Sequence, residues 1–451
     1  MSLTKTVGFF AGTTLAITGA AFGAEQNNDA LSQIAELKAE IASLKTASGG
    51  DQWLTEQRAS EIRGIVTDVL ADADTRSSLQ GSGAGSGYNG GFFLSSADGN
   101  YSMKVNVLEQ IRWTYNDRSG SPTGNTNNWG FENKRTRMSW SGNIVDSSWT
   151  YKVAYYFAYA NDVEFNGASP VLADAFVKKD LGNGLSLTVG QFKLPFSGEY
   201  AVDAGNLQLN DYSTVSNMFS DNYGQGVMIG YAADAFQASA AYVNALDETN
   251  DQFSNETPET EYAFSGRAAI KIQGNWDQFN NAQSFKGEEM GILVGGGINW
   301  EKSNSTADEV FGATADVTFD FGGANVFGAI YWDNLDDGVT TTNPYGFTVQ
   351  GGVFVADDIE IVGRYEFGSM DDGASGEFSA LTFGANWYLA QNTAKFGANF
   401  GYAFDSVSDL WATEGAGNNW LSDETFDPKK DHSTDGDDGQ WMIQAQLSFS
   451  F

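Results

Sequence analysis

Residues 441–451 read WMIQAQLSFSF, and this stretch decides the fold. Trp441, Ile443, Ala445, Leu447, Phe449 and Phe451 share one parity; Met442, Gln444, Gln446, Ser448 and Ser450 share the other. Successive side chains of an extended strand point to opposite faces, so the segment has one oily face and one polar face. A closed membrane barrel needs such strands, with lipid outside, water inside and every backbone group paired around the ring.

The same pattern recurs upstream. Trp149, Tyr151, Val153, Tyr155, Phe157 and Tyr159 share one parity, as do Ala394, Phe396, Ala398, Phe400, Tyr402 and Phe404. Rings at both ends of an apolar face suit the two membrane interfaces and speak against a soluble β-sandwich. Alternation predicts strands over 101–115, 131–145, 149–159, 171–180, 184–192, 223–232, 236–245, 261–274, 290–301, 309–321, 324–334, 345–356, 359–368, 377–388, 394–404 and 440–451. That is an all-β, closed antiparallel barrel of about sixteen strands, an even number as single-chain bacterial barrels require. Short links (146–148, 181–183, 233–235, 322–323, 357–358, 390–393) alternate with long ones (116–130, 160–170, 193–222, 246–260, 335–344, 405–439). Two connections fit less well: 275–289 is long for an inner turn and 302–308 is short for an outer loop.

Residues 1–24 have the form of a secretory signal: Lys5, a short apolar run from Val7 to Ala21, then small residues at Gly23 and Ala24. Residues 25–80 predict a periplasmic helical stalk. Its coiled-coil seam is Ile34, Leu37, Ile41 and Leu44, spaced three, four and three apart. A second amphipathic helix is expected from Asp51 to about Arg76. The stretch 81–100, opening with GSGAGSG, reads as a Gly/Ser-rich linker, and 101–451 as the barrel domain.

The net charge of -34 argues against nucleic acid, whose phosphates would be repelled. Mean hydropathy of -0.31 does not exclude a membrane barrel, because only alternate residues meet lipid. With lipid-facing parity assigned, the opposite parity carries a basic wall: Lys104, Arg112, Arg135, Arg137, Lys152, Arg267, Lys271, Arg364 and Lys395. Acids crowd the loops instead, as at Asp247, Glu248 and Asp251, Asp333, Asp336 and Asp337, and Asp371 and Asp372. Rings of Arg and Lys in a low-dielectric tube select anions, while loop charge is screened within about 8 Å. Inward acids such as Glu360 and Glu366 are the alternative partners for these cations.

The segment VGQFKLPFSGEY (189–200) carries a G-x-F-K-x-P-F run of Gly190, Phe192, Lys193, Pro195 and Phe196. With FSGRAA around Arg267 and the aromatic end strand, the chain over 101–451 resembles the phosphate-selective porin O and P family. The resemblance implies a sixteen-stranded, homotrimeric outer-membrane porin that takes phosphate-type anions. Its third loop would fold into the lumen, with Lys193, Pro195 and Phe196 at the constriction. Phe451 resembles the end signal read by the barrel-assembly machinery.

With His432 as the one histidine and no cysteine, His-dependent nucleophilic sites and structural zinc centres are nearly excluded, and no enzyme is expected. No cofactor is expected either; the one weak hint is a calcium loop through Asp431, Ser433 and Asp435, whose twelfth position is Met442 instead of Glu. The reading is a passive outer-membrane channel for small hydrophilic solutes with an anion bias. It has long acidic loops outside and lipid, self and cell-wall partners such as peptidoglycan. The alternative is a structural envelope protein, a barrel anchor whose stalk tethers the outer membrane to the cell wall.

Overall fold

The computed structural model describes residues 38–40, 42–43, 64, 85–118, 126–159, 170–246, 260–304, 308–372, 376–415, 420–423 and 439–451. The signal segment, the seam residues Ile34, Leu37, Ile41 and Leu44, and the calcium candidate at Asp431, Ser433 and Asp435 lie outside the described residues. The chain divides into two units, Met1–Asp98 and Gly99–Phe451.

In the first unit, the stretch expected to be a structureless linker is a hairpin. Gly85–Tyr88 pairs antiparallel with Phe92–Ser95, and the Tyr88 and Phe92 rings meet edge-on at 5.4 Å. The turn is closed by Gly90 and Gly91, both at positive φ, which glycine adopts without steric cost. Composition pointed to a linker because Gly and Ser dominate it; the alternating Tyr88, Phe92 and Leu94 carry the pairing.

The second unit is a barrel of sixteen long strands. They are β1 (Ser102–Asp117), β2 (Asn127–Ile144), β3 (Asp146–Tyr159), β4 (Val171–Gly182), β5 (Leu185–Lys193), β6 (Tyr223–Ala232), β7 (Phe236–Val243) and β8 (Thr260–Gln273). They continue as β9 (Gly291–Ser303), β10 (Glu309–Asp320), β11 (Ala324–Asp336), β12 (Tyr345–Phe354), β13 (Ile359–Ser369), β14 (Glu377–Ala390), β15 (Ala394–Ala403) and β16 (Gln440–Ser450). Each pairs antiparallel with its neighbours in sequence, and β16 closes the ring on β1 from Trp441↔Asp117 to Ser450↔Leu108. Phe451 completes the seam by exchanging backbone hydrogen bonds with Val107. Closure leaves no edge, the condition for a sheet in lipid.

The outer wall is apolar because alternation puts it there. On β16, Gln440, Met442, Gln444, Gln446 and Ser448 are buried inside, while Ile443 is exposed on the opposite parity. Phe131 on β2 is 80% exposed on the same outer face. Rings gather at the strand ends, with Tyr262, Phe264 and Trp300 in mutual contact near one rim. Among the described residues no helix is long and apolar enough to cross a membrane.

Two segments fill the lumen. Leu194–Asn222, between β5 and β6, turns inward, its neck closed by the Leu194 N–H bonding to the Asn222 carbonyl. Its short helices, α1 (Gly198–Ala201) and α2 (Thr214–Phe219), are N-capped by Ser197 and Ser213. The wall makes room with glycine: a Cβ at Gly297, Gly352, Gly384 or Gly397 would collide with Phe196, Gln208, Leu209 or Asn210 of the loop. The second segment enters from the last outer loop, where Val407, Trp411 and Trp420 pack with Val215, Phe219, Phe378 and Met442. The long inner connection 274–290 has a physical reason. Asn206 donates to the Asn280 carbonyl and the Ala282 N–H to the Asn206 carbonyl, so the turn props the loop from below.

Candidate functional site

The site is the lumen narrowed by the inward loop, and its electrostatics centre on Asp211. Arg135 Nη2 lies 2.6 Å from its carboxylate, Arg112 Nη1 3.2 Å and Lys134 Nζ 3.3 Å. All four are buried, with Arg112 and Lys134 at 0% exposure. Arg112 also donates to Gln446 Oε1 at 2.8 Å and to the Asn210 carbonyl at 2.6 Å. Arg135 reaches Gln110 Oε1 at 3.0 Å.

Lys134 is the residue that alternation misses. In the β1–β2 register Gln110 faces Arg135 and Ile111 faces Asn133, which leaves Lys134 as an extra residue. Such a bulge disrupts the local alternation, and here the consecutive Lys134 and Arg135 both reach Asp211. Period-two counting has no means to see this; two adjacent cations in the middle of a strand are the one available hint.

The other wall cations are also tied to acids or to the loop. Arg137 forks onto Asp203 at 2.7 and 3.0 Å, and Lys152 pairs with Asp174 at 2.8 Å. Arg267 grips Asp316 at 2.6 and 2.8 Å and donates to the Phe196 carbonyl at 3.0 Å. Arg364 donates to the Asp211 carbonyl at 3.0 Å and lies 3.6 Å from Glu366, while Lys395 donates to the Leu207 carbonyl. Lys271 lies 3.7 Å from Asp234 at the inner end of β8, and Lys104 shares the parity of Leu108, Gln110 and Arg112 on β1. Of Arg112, Arg135, Arg137 and Lys152, the first three reach loop acids and Lys152 pairs with Asp174 on β4. The three arginines hold the loop in place and do not form a bare ladder.

At the loop root, Lys193 lies over the rings of Tyr200 and Tyr212, which stack 4.5 Å apart. Phe196 is buried in the apolar lumen cluster and the Pro195 carbonyl accepts from Ser265. These two brace the loop root against the wall. The loop crosses to the far wall through amides: Gln208 donates to Asn325 and Glu360 at 2.6 Å, and Asn386 to the Gln208 carbonyl at 2.7 Å. Space remains beside it. A cavity of about 300 Å³ is bordered by Gln208, Gln350, Arg267, Asp316, Trp276 and Phe279. A second, of about 540 Å³, runs along the inner ends of β3–β7 past Thr150, Lys178, Ser186, Thr188 and Ser239.

Burial alone would raise the Asp211 carboxyl, but Arg135, Lys134 and Arg112 outweigh it and hold it well below the usual carboxylate range. Asp203 is likewise penalised by burial, yet Arg137 and the Gly205 N–H bring it down to about 2. A depressed carboxylate contributes stability that is fully present above its unfolded value near 3.9 and is lost as pH falls through the bound value. The latch should thus be intact from neutrality to about pH 4.5 and weaken only below about pH 3. Single-channel conductance recorded across that range checks it; a step between pH 7 and 5 would contradict the pairing.

Residues 105–290 match the family model of the phosphate-selective porin O and P family. No curated protein sequence matches the chain. Among solved structures, an anion-selective porin from Comamonas acidovorans is similar with a TM-score of 0.55 at 12% identity, covering 77% of this chain and 99% of that one. OprB of Pseudomonas putida is similar with a TM-score of 0.51 at 10% identity, covering 77% of this chain and 94% of that one. At such identities the likeness establishes a shared fold.

Proposed function

We infer that this chain is an outer-membrane porin, a water-filled channel for passive diffusion of small hydrophilic solutes, with a bias towards anions. The supporting observation is an apolar-outside, polar-inside barrel of sixteen strands whose bore is narrowed by a loop latched to basic side chains. It is a channel and no enzyme. The bias rests on imbalance. Around the loop from its root to Asp211 stand Arg112, Lys134, Arg135, Arg137, Lys152 and Lys193, against the carboxylates of Glu132, Asp174, Glu199, Asp203 and Asp211. The uncompensated positive charge acts through a low-dielectric wall on whatever enters. Phosphate-type anions are the natural first solutes to try.

The finer assignments extend this reading. The chain forms a homotrimer, is exported by its first residues, and is folded into the outer membrane by the barrel-assembly machinery. Its helical stalk stands in the periplasm towards the cell wall, and its long acidic loops stand outside. These follow from the sequence patterns and the porin fold.

The test is the zero-current potential of the full-length protein in planar bilayers across a potassium chloride gradient. Chloride preference is expected. In Arg135→Ala/Arg137→Ala the preference should fall by roughly a factor of two per charge removed, since a unit charge about 10 Å away in water is worth about 0.4 kcal/mol. Potassium preference in the wild type would overturn the reading.

A further inference from the structure

The apolar outer wall is interrupted on β1 and β2. Glu109 lies midway along β1, and its cross-strand partners are Phe449 on β16 and Thr136 on β2. Leu108 and Gln110 on either side are buried, Gln110 donating to the Ala204 carbonyl of the inward loop, so Glu109 points outward. Ile111, 40% exposed on the same face, pairs with Asn133. The bulge that turns both Lys134 and Arg135 inward therefore leaves Asn133 and Thr136 outside, one on each flank. Among the described residues the side chains of Glu109, Asn133 and Thr136 have no hydrogen-bond or ion-pair partner. Elsewhere the middle of the outer wall is apolar, with Ile298, Ile330, Val349 and Phe383 exposed. Outward charges such as Lys179 and Lys302 lie near strand ends, over the rings of Trp149 and Tyr262.

A carboxylate at mid-strand on a lipid-facing wall is costly, and acyl chains offer it no donor. On the same face of β2 stand Phe131, 80% exposed, and Trp129, 70% exposed. Polar side chains in need of partners, next to protruding rings, mark a wall that another protein covers. The patch itself says which protein. Ionised Glu109 only accepts, whereas the Asn133 amide and the Thr136 hydroxyl donate, so a second copy brings what the first lacks. We propose that the β1–β2 wall is the contact between copies of this chain, Glu109 accepting hydrogen bonds from the partner's Asn133 and the partner's Thr136. In a closed ring each copy offers the acceptor on β1 to one neighbour and the donors on β2 to the other. The proposal rests on the trimeric porin reading and adds to it which wall is shared and what joins it.

The test uses the full-length protein in mild detergent; having no cysteine, it accepts single ones as probes. Wild type should run as an oligomer on semi-native gels, and Glu109→Leu should lose the oligomer at temperatures that leave wild type intact. A carboxylate that merely faced lipid would give the opposite, since leucine suits hydrocarbon better. Asn133→Cys treated with a bismaleimide should yield covalent oligomers, whereas Ile298→Cys on β9, across the ring, should not. The cross-link keeps Glu109 in place, so it decides even where Glu109→Leu does not fold. A monomeric wild type, cross-linking through Ile298→Cys and not Asn133→Cys, or a Glu109→Leu oligomer at least as heat-stable as wild type overturns the proposal. Chloride-selective conductance is read on the same preparations, so loss of this interface and loss of the porin reading are told apart.

Discussion

Replacing Asp211 with Asn is expected to raise anion selectivity and make single-channel currents larger and noisier than wild type. Asp211 touches Arg112, Lys134 and Arg135 together, and all four side chains are out of water. Removing one partner from a buried pair costs about 3–5 kcal/mol, because the remaining charge is stranded without solvent or counter-ion. Arg112, Lys134 and Arg135 would lose the buried acid they share, and Glu132, 3.9 Å from Arg112, is a more distant and half-buried replacement. The loop withdraws, water and chloride enter, and the bore widens. Closure of the barrel does not depend on this latch, so the strands should persist while the constriction fails. Asp203→Asn offers the internal comparison. Its partner Arg137 keeps 15% of its side chain exposed and Asp203 41%, so solvent screens the pair and the loss should be small. Planar-bilayer recordings of both variants decide it; an Asp211→Asn channel with wild-type conductance and zero-current potential would mean that the amide frame around Gln208 holds the loop alone.

The barrel was legible because its rule is simple. Two-residue alternation and turn residues located all sixteen strands, since lipid punishes every exception on the outer face. The inward parity of Arg112, Arg135, Arg137 and Arg267 was legible for the same reason. Their partners were not. Asp203 and Asp211 sit in an irregular loop with no period to read, so nothing in the spacing couples them to strands some 70 to 100 residues away. Lys134 escaped because a bulge breaks the alternation that would have placed it. The glycines were legible only as plentiful. Which of them face the loop, as Gly352 faces Gln208 and Gly384 faces Leu209, depends on a path the sequence does not state. In the last outer loop the acids dominate the composition, and Trp411 and Trp420 signal burial only in hindsight.

Those two tryptophans support the second large expectation. In Trp411→Ala/Trp420→Ala the outer mouth should open and conductance rise, with the barrel still folded. Trp411 stacks on Phe378 at 5.2 Å and Trp420 meets the same ring edge-on at 6.2 Å. Gly368 and Gly401 leave space for them in the wall, where a Cβ would collide with either indole. The loop backbone is tied across its base by the Asp423 N–H to the Val407 carbonyl at 2.8 Å, and Asp423 Oδ2 accepts from Gln440. Each Trp→Ala change in a packed interior costs about 3–5 kcal/mol, far more than these few hydrogen bonds return at about 1 kcal/mol each. The loss falls on docking of the loop, since the sheet's own ladders are untouched. If the protein instead served as an adhesin presenting its last loop, the wild type would conduct little and loss of adhesion would be the main phenotype. A double variant whose conductance equals that of a conducting wild type would show that ions already pass on the β3–β7 side, leaving the tryptophans to stiffen the mouth.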